Sequence, residues 1–354
     1  MVALAALAGL SACATKLGPR TVPVNRFNYN EAIARSLNEQ LLLNLVRLRY
    51  RDTPMFIDVG SVISQYSFSA SASASPTIKI DGGKSNEYGL GVGGSYTENP
   101  TITYEPLRGG AAAKRLLSPI DPATLALLSQ SGWSIERLLV CCVQEVNGIP
   151  NALAATGPAP TRLPDNARFR RLAELMRELQ TQDRLRFRPI YQRTEDNTQQ
   201  QVGVTLSFGD EDDATARELA EILRLPDGER TFRLVTQVPK ANADEIGVSG
   251  RSLLGVLFFL SLAVDAPQEH RQAGLIGGAD LDWQTVIGGL LRIQNATAAP
   301  EDAFVRIQYR GRWFYIGDSD LNSKTTFNLL NYLYSLQAAG AEGASPLLTV
   351  GVGR

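Results

Sequence analysis

Several short blocks in this chain carry residue types that do chemistry elsewhere, and each lacks a partner that the chemistry needs. Gly317-Asp318-Ser319-Asp320 has the serine and acids of a hydrolase block, yet no histidine follows to take the proton of the serine. Capping of a helix that starts near Leu321 accounts for the same residues. Gly89-Leu90-Gly91-Val92-Gly93-Gly94 has glycines at the density of a dinucleotide loop. Strand patterning continues on both sides of it, whereas a phosphate cradle needs a helix N-terminus after the glycines. Asp210-Glu211-Asp212-Asp213 offers carboxylates for calcium without the spaced oxygen ligands and turn glycine of a known loop. Acids at the start of a helix explain it as well. Asp280 and Asp282 could form an acid/base pair of the glycosidase kind, but two acids in one turn more often face water.

Composition narrows the field further. The 354 residues contain 1 histidine, His270, which reads as a solvated loop residue in DAPQEHRQAG. Histidine triads and multi-histidine metal sites therefore have almost no raw material. A net charge of -1 gives no reason to expect nucleic acid. The expectation is a non-enzymatic chain with no catalytic residue, no cofactor and no metal.

One residue does have a chemistry its surroundings favour. Residues 2–12 are apolar and too short to span a bilayer, and Leu10-Ser11-Ala12-Cys13 follows the pattern of a lipobox. Small residues before the cut admit a peptidase, and the Cys13 thiol takes the diacylglycerol. Two or more acyl chains suffice for lasting anchorage. Residues 1–13 are thus read as a lipoprotein signal, with Cys13 as the point of lipid attachment and the membrane as a partner. Ala14, where an aspartate would favour inner-membrane retention in the lipoproteins this resembles, points to the outer membrane, with the body in the periplasm. No Lys or Arg precedes the apolar stretch, so the expected translation start lies upstream of Met1. Cys141 and Cys142, adjacent in IERLLVCCVQEV, read as small apolar residues on a helix face, with an exposed redox pair as the alternative.

The elements behind these residues follow from periodicity. After a polar tether over 14–27, Ile33, Leu37, Leu41, Leu45 and Leu48 predict a helix, with Asn30 as its cap. From Ser61 to Ile80 the period changes to two. Val62, Tyr66, Phe68, Ala70, Ala72, Ala74, Ile78 and Ile80 alternate with serines, Gln65, Thr77 and Lys79. Asp81-Gly82-Gly83 supplies a turn, and Tyr88, Leu90, Val92 and Tyr96 return, extended by Ile102 and Tyr104. The whole, about 61–104, is a long amphipathic hairpin. Tyr66, Phe68, Ala70, Ala72, Ala74, Leu90 and Val92 form its candidate interaction face, for another copy of the chain or an envelope protein.

The region 14–148 is therefore expected to be helical with this hairpin, 149–166 to be a linker, and 167–354 to be an α+β region. The last contains a helix over 167–182, strands in RLRFRPIYQR, QQVGVTLSF and TFRLVTQV, and a helix over 212–224. It continues with an apolar core helix over 252–264, strands near 285–294, 303–310 and 312–317, a helix over 321–339 and a closing strand, PLLTVGV. Strand-strand-helix-strand occurs twice. The fold class is α+β, with antiparallel sheets, packed helices and one long amphipathic β-hairpin. Arginines are dense from Arg162 to Arg193, which leaves open a binding module for an anionic glycan or lipid.

The lipobox, the Ser/Ala hairpin, NPTITYEPLRG (99–109) and RGRWFYIGDSDLNSKTTFNLLNYLYSLQ (310–337) together resemble a group of uncharacterised lipoproteins of Gram-negative bacteria. That resemblance implies a location and no chemistry.

Overall fold

The computed structural model describes residues 17–77, 87–106, 114, 116–151, 165–194, 196–209, 213–226, 228–236, 244–277 and 281–339. The fold is α+β, with a six-stranded sheet, a three-stranded sheet and a two-stranded hairpin. Two compact units emerge, one from 1–55 with 109–354 and the other from 56–108.

The larger unit begins with α1 (Leu17–Arg49). This helix starts well before the expected one, so Asn30 lies inside it and caps nothing, and the tether is helical from Leu17. Pro19 falls in the first turn, where backbone N–H groups have no partner within the helix. Leu41, Leu42, Leu45 and Val46 are buried at the other end of the helix. There α1 packs on α6 (Leu253–Ser261) and on β10 (Ala303–Tyr309).

Helices α2 (Pro122–Gln130) and α3 (Ile135–Cys142) follow, capped by the side chains of Asp121 and Ser134. The apolar run of α3 continues directly into β3 (Val143–Val146) and β4 (Ile149–Pro150). Next come α4 (Ala167–Thr181), β5 (Leu185–Arg193), β6 (Gln199–Phe208) and α5 (Ala214–Leu223). Strands β7 (Thr231–Val235) and β8 (Glu245–Gly250) complete the sheet, in the order β4-β3-β8-β7-β6-β5. Its pairings are antiparallel except β7 with β8, which run parallel. Strand β8 went unread in the sequence because Gly247 and Gly250 interrupt its alternation. Gly250 is needed there, since a Cβ at that position would lie 2.1 Å from the Ile120 carbonyl oxygen.

Strands β3 and β8 join segments from either side of the expected linker in one sheet, and α3 packs on α4. Alternate residues Phe187, Leu206, Phe208, Phe232, Ile246 and Val248 are buried, as are Phe169, Leu172 and Leu175 of α4. Arg251, 1% exposed, follows β8 and donates from Nη1 to the carbonyls of Val140, Cys141 and Val143 at the end of α3. Its guanidinium also sits 4.3 Å above the Phe259 ring.

The remaining elements are α7 (Gln268–Gln272), α8 (Trp283–Ile287), β9 (Gln294–Ala296), β11 (Arg312–Gly317) and α9 (Leu321–Ala339). The strand expected near 285–294 is in fact mostly α8 and the turn after it. Asp282 caps that helix and Gly288, at φ 67°, ends it. Strands β10, β11 and β9 form the three-stranded sheet. The expected closing strand PLLTVGV lies outside the described residues.

In the smaller unit, β1 (Ile57–Thr77) pairs antiparallel with β2 (Glu87–Pro106). At ~3.3 Å per residue these strands are roughly 65–70 Å long. A register shift between Val59 and Ser61 marks a bulge at Gly60. Ile78, Ile80 and the expected turn Asp81-Gly82-Gly83 lie outside the described residues.

Candidate functional site

Directly opposed residues of an antiparallel pair share a face, so the hairpin register sorts its residues without ambiguity. Tyr66 is opposite Glu98, Phe68 opposite Tyr96, Ala70 opposite Gly94, Ala72 opposite Val92 and Ala74 opposite Leu90. The seven candidate interaction residues therefore occupy one face of the ribbon. The bulge extends that face. By simple alternation Val59 would fall with the serines, but the extra residue at Gly60 places it opposite Tyr104, in line with Val62 opposite Ile102. The other face pairs Ser71 with Gly93, Ser73 with Gly91 and Ser75 with Gly89. Among the described residues Glu98 is the one acid on the apolar face.

Residue size varies along the ribbon. Phe68 is paired with Tyr96 near the middle, and beyond it Leu90 and Tyr88 of β2 are paired with Ala74 and Pro76. From Ser69 to Ser75 both faces of β1 carry only alanine and serine. The Gly89–Gly94 block is part of β2, with strand on both sides, and offers no helix N-terminus to a phosphate.

The other sequence candidates are placed as follows. Cys13, Asp210, Glu211, Asp212 and Asp280 lie outside the described residues. Asp213 caps α5 through the N–H groups of Thr215 and Ala216 and pairs with Arg184 at 2.9 Å. Burial raises the carboxyl, but Arg184 and the two backbone donors outweigh it and hold Asp213 below the ordinary carboxylate value. Asp282 caps α8, and Asp320 accepts from the N–H of Ser323 at 3.0 Å just inside α9. Asp318 pairs with Lys324 at 2.6 Å, so the Gly317–Asp320 block organises a helix start. Cys141 and Cys142 are fully buried, and burial pushes the Cys141 thiol up to about 12 and Cys142 well above its usual value. Neither is a reactive thiolate. Among the described residues no group of acids, cysteines and histidine could hold a metal ion. No described helix is long and apolar enough to cross a membrane.

Part of the arginine-rich segment is engaged within the fold. Arg168 and Arg170 donate to the Ile222 and Thr285 carbonyls, Arg171 bonds Glu218 and Arg177 bonds Gln180. Arg186 and Arg188 remain exposed on β5, while Arg162 lies outside the described residues.

Two arrangements escaped the sequence. In the first, the end of α1 is fastened from several directions. Asn44 exchanges two hydrogen bonds with Met55, at 2.7 and 2.8 Å, and Tyr309 and Arg310 both donate to the Asp52 carboxylate. Tyr50, 5% exposed, shares a 2.6 Å hydrogen bond with Nδ1 of His270. Burial pushes the Tyr50 hydroxyl up to about 12. The histidine expected to be solvated is thus half-buried on α7 and bound to a core tyrosine. Their separation by 220 positions hides the pair from local pattern.

The second arrangement is a cavity of about 780 Å³ lined by Arg49, Arg271, Arg292, Trp283, Asp282 and Asp320, among others. Arg49 is 8% exposed and donates from Nη1 to the Gly277 carbonyl, while its buried Nε has no partner among the described residues. Burial first, and then the charge of Arg271, lower the Arg49 guanidinium to about 10. Arg271 is engaged with Asp265 at 2.8 Å. No protein-family model, curated protein or solved structure matches the chain.

Proposed function

We propose that this chain is an outer-membrane lipoprotein, anchored through Cys13, that serves as a non-enzymatic assembly component of the envelope. In this reading it associates with another copy of itself through the hairpin. The observation that carries the reading is the hairpin register. The pairing from Ile57 with Pro106 to Thr77 with Glu87 separates a mainly apolar face from a mainly polar one, which also holds Ile63. Among the described residues neither strand pairs with a third, so the two-stranded sheet has two open edges. Ordinary strands have roughly 5 or 6 residues, and an isolated two-stranded hairpin is marginal in water. An identical ribbon matches those edges in length and spacing. Alanine and serine over 69–75, and glycine at 89, 91, 93 and 94, also let a second backbone approach closely.

Two measurements test this. Labelled palmitate should enter the wild-type protein, and Cys13→Ala should move it from the membrane to the soluble periplasmic fraction. Native mass measurement of the detergent-extracted protein should give a multiple of the chain mass with closed symmetry. A monomer with no label would overturn both halves of the reading.

A further inference from the structure

Arginine buried with spare donors is costly, because each unbonded N–H has lost water without replacement. Among the described residues Arg49 is in that condition at the cavity wall: its Nε is buried without a partner, and a second arginine, Arg271, lines the same space. The described carboxylates there do not relieve it. Asp265 binds Arg271, Asp282 accepts from Gln284 and Thr285, and Asp320 accepts from Ser323. Arg292 is exposed, and its guanidinium makes no described hydrogen bond. The cavity thus combines a deep guanidinium with an exposed one, both suited to an oxyanion.

At about 780 Å³ the space is far larger than a phosphate ion. Asp282 and Asp320 each bind two protein donors, and an ionised carboxylate has about four acceptor sites, so each can still accept from hydroxyl groups. Trp283 adds a ring to the lining, and Gly289, at φ 70°, has open space where a Cβ would project. We propose that this cavity binds a phosphorylated, hydroxyl-bearing small molecule, with the phosphate on Arg49 and Arg292 and the hydroxyls on Asp282 and Asp320. The site belongs to the larger unit and does not depend on what the hairpin does.

Isothermal titration of the full chain with glucose 6-phosphate, inorganic phosphate and glucose tests the assignment. Glucose 6-phosphate should bind saturably, inorganic phosphate more weakly, and glucose not at all. Arg292→Ala, at an exposed position, should weaken glucose 6-phosphate binding by about tenfold or more, the worth of one charge-assisted bond. Arg49→Gln should weaken it further, and Arg188→Ala, on β5, should change nothing. Should Arg49→Gln fail to fold, Arg292→Ala and Arg188→Ala still decide the matter. Absence of binding at millimolar glucose 6-phosphate would overturn the proposal. So would unchanged affinity in Arg292→Ala, equal affinity for inorganic phosphate, or binding confined to anionic lipid vesicles.

Discussion

The two units of this molecule differ in how their backbone groups are paired. In the larger unit, helices cover a six-stranded sheet, and even Arg251 finds three carbonyls and an aromatic face inside it. In the hairpin, one pair of strands of about 20 residues encloses no interior between layers, and each strand has an edge with no described sheet neighbour. A region built like the first is self-sufficient. The proposed function therefore assigns assembly to the hairpin and stability to the body.

That division can be broken at several points, beginning where the effect should be greatest. Leu172 is fully buried in α4. Leu172→Ala should cost the body about 3 kcal/mol in denaturant unfolding, from lost transfer energy and the cavity left behind. Native mass should not change. A loss of assembly at full body stability would reverse the assignment of roles.

Asp213→Ala removes a helix cap and the partner of Arg184, and should cost about 1–2 kcal/mol. The carboxyl is held below its ordinary value in the fold, so its contribution is fully present above the unfolded value, about 4. It is lost as pH falls through the lower folded value. Unfolding midpoints of the wild type and Asp213→Ala should therefore converge in acid, and a constant gap would contradict the ion pair. Smaller still is Tyr50→Phe, which removes the hydrogen bond to His270 and should cost about 1 kcal/mol in thermal unfolding. A neutral result would mean that the tyrosine is held by its ring contacts alone.

Legibility in the sequence also divides between the two units. The hairpin was readable because a period of two is local, and the register adds only the Gly60 bulge that brings Val59 opposite Tyr104. The helices at 167–181 and 321–339 were readable from apolar spacing and, in the second, from a capping acid. Residues 285–293 misled because Val286, Ile287, Leu290, Leu291 and Ile293 suit a strand, whereas Asp282 and Gly288 set helix boundaries around the first two. The fastening of Tyr50 to His270, and the gathering of Arg49, Arg271 and Arg292, depend on contacts between distant segments. No window of neighbouring residues carries such information.

The central claim is that the hairpin has one face made for a partner. Ala72 and Ser71 are adjacent, equally small, and on opposite faces by register, paired with Val92 and Gly93. The most direct measurement is native mass and thermal unfolding of Ala72→Asp beside Ser71→Asp, each extracted in detergent as the lipidated protein. A carboxylate on the apolar face would be buried unpaired at the contact, costing several kcal/mol, whereas one on the serine face stays in water. Ala72→Asp should therefore fall to the mass of a single chain while its body unfolds at the wild-type temperature, and Ser71→Asp should keep the wild-type mass. Equal masses for the two variants would contradict the two-faced hairpin and, with it, the assembly role.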